Sequence, residues 1–403
     1  MSLNLLRWLP SFRELDYEQQ SAITDSLKPG GLLVCGPAGS GKTAITLFCG
    51  KTLQDEGKSF KIFVFTNILK DFILAGAADL KLPSDSVTTF YRWVRQQHVE
   101  QLGQPPNNSD DIFSLWTDRL IEHWTTNPRR RPHYQFVLID EAQDFKGNVA
   151  RLLHMVSANI LVVADPSQSL YVTTKDFQAL VQRWGPLTAN RQIPRNYRNP
   201  KAVAQVAAIF LDPATGDRDE FLRRVKGRPN EMKPVWYQVE TDEEQIDRIA
   251  DIISQARGSV RIGILYRHRS HLEQDLARLS KRGVKTRVAL PKYASLDFND
   301  PAPVLTTVHS AKGLEFDWVI LPSLNTDTWD QDPGDPKERN LFFVALTRTK
   351  GNLYLISRTG AEAPFLQEIL RVDSNLLQTP MRSFAATTSS AKSDDSDDDD
   401  APF

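Results

Sequence analysis

Cysteine is scarce in this chain. Only Cys35 and Cys49 occur among 403 residues, both in apolar segments. Two thiols exclude a disulfide framework and a cysteine-ligated zinc module, and they suit a reducing cytosol. Long apolar runs are also missing. None reaches the roughly 20 residues that span a bilayer, and the amino terminus lacks the layout of a signal peptide, so no membrane partner is expected. Net charge is nearly absent at −1, but the small figure hides an asymmetry. Six aspartates and one lysine fall between Ala385 and Phe403, which leaves the rest of the chain at +4. A mildly basic body is compatible with a polyanionic partner without pointing to one. Hydrophobic residues make up 40% and charged residues 25%, the ordinary measure for a protein with buried cores. The length suggests two or three domains.

Gly36-Pro37-Ala38-Gly39-Ser40-Gly41-Lys42-Thr43 fits the pattern G-x-x-x-x-G-K-[ST]. The apolar run Gly31-Leu32-Leu33-Val34-Cys35 leads into it, and a helical pattern from Thr43 to about Leu53 follows. Glycines let the backbone wrap a polyphosphate with its amides pointing inward, and the helix start adds positive potential. ATP with Mg²⁺ is therefore the expected ligand: Lys42 on the β- and γ-phosphates, the Thr43 hydroxyl on the metal.

The rest of the chain alternates strands and helices. Leu15–Ile23 reads as a short amphipathic helix, Lys61–Thr66 as a strand with Asn67 capping the next helix, and Val87–Phe90 as another strand. Phe136–Ile139 is an apolar strand that ends in Asp140-Glu141-Ala142-Gln143-Asp144, and Asn159–Ala164 is another that ends at Asp165. Carboxylates at the carboxyl ends of parallel strands sit where open α/β sheets do their chemistry. Asp140 is the candidate for the metal's outer shell and Glu141 for polarising the attacking water. A second alternating series runs from Pro234 to Ser357. The expected fold class is α/β with two tandem parallel-sheet domains: 1–185, with a small helical insertion at about 95–132, and 186–373. A disordered acidic tail, 374–403, follows. The run Arg129-Arg130-Arg131 reads as a solvated loop or a binding patch.

The motifs, in order, resemble those of the UvrD/Rep group of superfamily 1 helicases. The likeness extends to about Ser357 and includes Phe65-Thr66-Asn67, Thr89-Phe90-Tyr91, Asp140–Asp144, Asp165–Tyr171, Asn196-Tyr197-Arg198, Ile262–Arg267, His309–Asp317 and Val344–Arg348. The resemblance implies two RecA-like P-loop NTPase domains that close on ATP. Gln19 would read the adenine, Tyr197 would lie against the base, Gln168 would sense the γ-phosphate, and Arg198 and Arg348 would engage phosphate. It also places Glu315 in the nucleotide site, and Phe65, Thr66, Asn67, Thr89, Phe90 and His309 on single-stranded DNA. The implied activity is an ATP-dependent 3′→5′ helicase or translocase. The alternative is a DNA-stimulated ATPase switch that recruits or licenses a nuclease or repair factor.

Two departures favour the alternative. Tyr171 is followed by Val172-Thr173-Thr174 instead of the group's Gly-Trp-Arg, which leaves Trp93 or Trp184 as candidate substitutes for the stacking tryptophan. Only about 40 residues, Arg95 to Arg131, are free for the first of the group's helical insertions, and the second is essentially absent. The segment Asp397–Phe403 resembles the acidic tip of bacterial single-stranded-DNA-binding proteins, with Ala401 in place of isoleucine. It is expected to dock on a protein that reads such tips, to fold over the protein's own DNA groove, or simply to solubilise.

Overall fold

Apolar runs without polar alternation become strands covered on both faces, which is the condition for a parallel sheet. The computed structural model describes residues 9–104, 112–145, 148–165, 187–211, 217–227, 231–256, 260–290, 293, 296–298, 300–329, 332 and 334–380. The first lobe comprises α1 (Tyr17–Ser26), β1 (Gly31–Cys35), α2 (Lys42–Asp55), β2 (Phe60–Val64), α3 (Asn67–Asp79), β3 (Val87–Thr89), α4 (Phe90–Leu102), α5 (Ile112–Thr126), β4 (Phe136–Ile139), α6 (Val149–Val156), β5 (Ile160–Ala164) and β6 (Leu187–Gln192). Two short helices follow, α7 (Lys201–Ala207) and α8 (Arg218–Arg224). The second lobe comprises β7 (Val235–Val239), α9 (Asp242–Gln255), β8 (Ile262–Tyr266), α10 (Arg269–Lys281), β9 (Arg287–Ala289), β10 (Val304–Thr307), β11 (Trp318–Leu321), α11 (Pro336–Leu346), β12 (Leu353–Arg358) and α12 (Pro364–Val372).

Each lobe is built on a six-stranded sheet, ordered β3-β2-β4-β5-β1-β6 and β7-β12-β11-β8-β10-β9. Every ladder in both sheets is parallel. All carboxyl ends of a sheet therefore face one way. The phosphate loop after β1 and the carboxylates after β4 and β5 emerge on one side, as neighbours.

The structure differs from the sequence reading at several boundaries. Residues 187–192 belong to the first sheet, pairing with β1, so the first lobe runs past residue 185. The chain leaves that lobe between Ile193, whose N–H still donates to Cys35 O (2.8 Å), and Asn196. Beyond it the chain packs on the second lobe: the Phe210 ring meets Phe342 at 4.8 Å and Phe365 at 5.4 Å. Helix α3 is capped by Thr66, whose hydroxyl accepts from Leu69 N–H; Asn67 is its first residue. The folded chain also continues beyond residue 373, because Trp236 N–H donates to Gln378 O and Gln378 N–H to Pro234 O. The helices α4 and α5, expected as an insertion, bury Trp93, Trp116 and Trp124 in a core shared with β1, β4 and β5.

The lobes touch through α3. Phe72 meets Phe298 edge-on at 5.3 Å, Leu296 N–H donates to Asp71 Oδ2 (3.2 Å), and Leu69 lies against Gly313. No helix among the described residues is long and apolar enough to cross a membrane.

Candidate nucleotide site and strand-end surface

The phosphate loop requires glycine twice over. Gly39 (φ 75°) and Gly41 (φ 84°) are left-handed, and neither has room for a Cβ. At Gly41 a Cβ would fall 2.3 Å from Gln19 Nε2, and at Gly39 2.3 Å from the Arg198 Cβ. The loop thus sits between α1 on one side and the segment leading to the second lobe on the other. Tyr197 N–H donates to Gly39 O (2.9 Å), which fastens that segment to the loop. Gly36, Pro37, Ala38 and Ser40 complete the turn, and Lys42 begins α2. The Lys42 ammonium donates to the carbonyls of Gly36 and Pro37, both at 2.9 Å, and lies 3.6 Å from Asp165 Oδ2.

Gln19 is placed at this loop, but both ends of its amide are engaged by protein. Its Nε2 donates to Ser40 O (2.8 Å), and its Oε1 accepts from Asp16 N–H (2.9 Å). In this conformation Gln19 braces the loop from behind while still lining the cavity.

Asp140 and Glu141 follow β4. Asp140 is fully buried, its Oδ2 has no hydrogen-bond partner, and the Thr43 hydroxyl is beside it. Burial, and then the charge of Glu141, push its carboxyl up to about 7. A buried carboxylate with an unsatisfied oxygen next to a hydroxyl fits a divalent cation's hydration shell. Thr43 and Asp140 would hold Mg²⁺ there, with waters and phosphate completing the shell. Glu141 takes a left-handed backbone conformation (φ 54°), unusual for a residue with a side chain. Burial would raise its carboxyl, but Lys42, Lys312 and Arg348 outweigh burial and hold it below the usual carboxylate range. Gln143 orients it: Nε2 donates to Glu141 Oε2, and Oε1 accepts from Asp165 N–H (3.0 Å).

The second lobe and its leading segment supply the opposite wall. A cavity of about 230 Å³ is lined by Gln19, Lys42, Thr43 and Glu141 from one side and by Tyr197, Arg198, Glu315 and Lys350 from the other. Arg198 donates from Nε to Glu315 Oε1 (3.0 Å) and from Nη1 to Thr347 O (3.3 Å). Arg348 is fully buried behind this wall, donating to Val344 O (3.0 Å). Burial, and then the Arg198 charge, bring its guanidinium down to about 9, while the charge of Glu141 works the other way. The Lys312 ammonium lies 2.5 Å from Asp144 Oδ1, a buried ion pair that joins the lobes three residues from Glu141.

The residues expected on DNA divide. Phe65 is 37% exposed after β2 and His309 is exposed after β10, both at carboxyl ends of strands. Phe90 is 1% exposed, held among Phe63, Trp93, Phe113 and Phe145, so it is a core residue and not a contact. Thr89 is buried and caps α4 by accepting from Arg92 N–H (3.2 Å), just as Thr66 caps α3. Trp93 is interior, its Nε1 donating to Tyr134, which removes it as a base-stacking substitute. Of the Thr89-Phe90-Tyr91 motif it is Tyr91 that is exposed (48%), and sequence reasoning passed over Tyr293 (41% exposed); the two follow β3 and β9 as Phe65 follows β2. It also passed over Lys350; the only signal was a lysine two residues past Arg348. Gln168, Val172–Thr174, Trp184 and Asp397–Phe403 lie outside the described residues.

Two parallel-sheet lobes, one carrying the phosphate loop and carboxylates and the other facing them with arginines, define a two-lobed P-loop NTPase core. An AAA domain model matches residues 19–174, and a UvrD-like helicase C-terminal domain model matches residues 289–360. The chain is 27% identical over 250 residues to a probable DNA helicase of Mycoplasma pneumoniae, covering 55% of this chain and 43% of that one. It is 23% identical over 296 residues to DNA helicase IV of Escherichia coli, covering 67% and 39%. The chain thus spans less than half the length of these curated relatives. A solved C-terminal domain of a possible DNA helicase from a Lactobacillus aligns at 21% identity with a TM-score of 0.35, covering 45% of this chain and 98% of that one. The first lobe thus matches an AAA domain model and the second a UvrD-like helicase C-terminal domain model, and the chain is similar to proteins named as DNA helicases.

Proposed function

We propose that the protein hydrolyses ATP between its lobes and uses the cycle to move 3′→5′ on single-stranded DNA. The observation that carries this reading is the shared cavity, where Arg198 faces Lys42 and Glu141 across one space. Mg²⁺ held by Thr43 and Asp140 would supply charge neutralisation to the phosphates. Lys42 and the loop amides bind the phosphates, and Glu141, oriented by Gln143, takes the proton of the attacking water. Arg198 and Arg348 answer charge that grows on the terminal phosphate, which stabilises the transition state more than the ground state. Release of that phosphate removes the anion both lobes hold, so the cleft reopens.

Support for a nucleic-acid track comes from the exposed rings at strand ends of both sheets. Phe65 and Tyr91 on one lobe and Tyr293 on the other are exposed rings, each resting against a neighbour (Phe145, Phe113 and Arg269 in turn), and stacking on an exposed ring tolerates any base. Phe65 meets Phe145 edge-on at 5.7 Å, one residue beyond Asp144, so the strand-end surface is in contact with the segment that carries Glu141.

A second reading is the DNA-responsive ATPase switch. It is favoured by the compactness of the core: α10 and β9 are the only described elements between β8 and β10, and α4 and α5 are packed inward. In that reading Asp397–Phe403 addresses a protein that binds acidic tips. A strand-displacement assay on a duplex with a 3′ single-stranded tail separates the two. Unwinding that requires ATP is the result expected of the motor, while ATP turnover on single strands with no displacement assigns the protein to the switch.

A further inference from the structure

Glu315 lies between two cations. Its Oε1 accepts from Arg198, and its Oε2 lies 2.9 Å from Lys350 Nζ. All three side chains are largely buried and line the nucleotide cavity. The two cations are anchored differently. Lys350 is tied to the Glu315 loop by backbone: its N–H donates to Phe316 O (2.8 Å), and Phe316 N–H donates to Arg348 O (3.0 Å). Arg198 sits on a segment held from both sides: Tyr197 N–H donates to Gly39 O (2.9 Å) of the phosphate loop, and Asn199 Nδ2 donates to Thr347 O (3.2 Å) and Thr349 O (2.8 Å) of the second lobe. Lys350 therefore stays with Glu315 through backbone pairing, whereas Arg198 reaches Glu315 by its side chain alone and can turn from it to a ligand in the cavity.

A bound triphosphate competes with Glu315 for Arg198. A buried carboxylate that loses its only cation is destabilised severely, so the exchange would be opposed if Arg198 were the sole partner. With Lys350 in place the carboxylate stays paired. We propose that Lys350 is a positioning residue that frees Arg198: on triphosphate entry Arg198 exchanges Glu315 for the terminal phosphate, and Lys350 holds Glu315 throughout. This rests on the reading of the cavity as an ATP site, and it explains why one carboxylate is given two cations.

The test is the ratio of affinities for a non-hydrolysable ATP analogue and for ADP, measured with Mg²⁺ on the full chain. The ratio reports the terminal phosphate alone and does not require turnover. Lys350→Ala is expected to lower it about tenfold, equivalent to roughly 1.4 kcal/mol, with the thermal midpoint near wild type. Lys350→Arg restores it, and so does Lys350→Ala combined with Glu315→Gln, because a neutral amide no longer retains Arg198. If Lys350→Ala does not fold, Glu315→Gln alone decides, and its ratio should rise above wild type. An unchanged ratio in Lys350→Ala, or a double variant as impaired as the single, overturns the exchange. Failure of the wild type to bind either nucleotide refutes the ATP site itself, and the exchange with it.

Discussion

Glu141→Gln is expected to bind ATP with wild-type affinity and to turn it over about 10²–10⁴-fold more slowly. The substitution keeps size and planarity, so the hydrogen bond from Gln143 and the packing at the end of β4 survive. What it removes is the basicity. Lys42, Lys312 and Arg348 hold the carboxyl ionised despite burial, and an ionised carboxylate is what a general base must be. The same change withdraws a negative charge from beside Asp140, whose carboxyl is raised partly by Glu141, so nothing in it opposes metal or nucleotide binding. Equilibrium binding of ATP beside phosphate release measures both halves. Turnover within threefold of wild type would show that the water is activated elsewhere.

The second large effect concerns the pair that joins the lobes. Lys312→Ala leaves Asp144 buried without its cation, and stability at pH 7 is expected to fall by about 3–5 kcal/mol. Burial already lifts the Asp144 carboxyl to about 6 against the pull of Lys312. Without that pull its folded value rises further. A carboxyl whose folded pKa lies above its unfolded value binds its proton more tightly when folded, so stability falls as pH rises through the folded value. The deficit of the variant relative to wild type should accordingly be largest at pH 7 and shrink toward pH 5, where Asp144 becomes neutral. Urea unfolding of both proteins at the two pH values measures it. A deficit that does not change with pH would mean that the loss is packing and not charge.

Much of the fold was legible because its signals are local. β1, β4, β5, β8 and β11 are uninterrupted apolar runs and β12 opens with one, and the phosphate loop is a contiguous pattern whose glycines are needed by the backbone at Gly39 and Gly41. β6 was not legible. Its residues Ala189, Asn190, Arg191 and Gln192 are exposed, and an edge strand of this kind is made by backbone pairing with β1, while Arg191 is held by Asp25 (2.7 Å). The burial of Phe90 depends on rings brought from β2, α5 and the segment after β4, which no spacing reveals. The same holds for Lys350 on Glu315 and Lys312 on Asp144, each a contact between distant segments. Thr66 and Thr89 carry the opposite lesson. A threonine just before a helix is a cap signal by itself, and that local role accounts for both side chains without a ligand.

The proposed cycle requires that the two walls of the nucleotide cavity respond to a strand lying across both sheets. ATP turnover by the wild-type protein with and without single-stranded DNA, at constant salt, tests this most directly. Turnover should rise at least about tenfold with single strands, as expected when a track helps bring the arginine wall onto the phosphates. Hydrolysis that proceeds at the same rate whether or not DNA is present would contradict the coupling on which the proposed function depends.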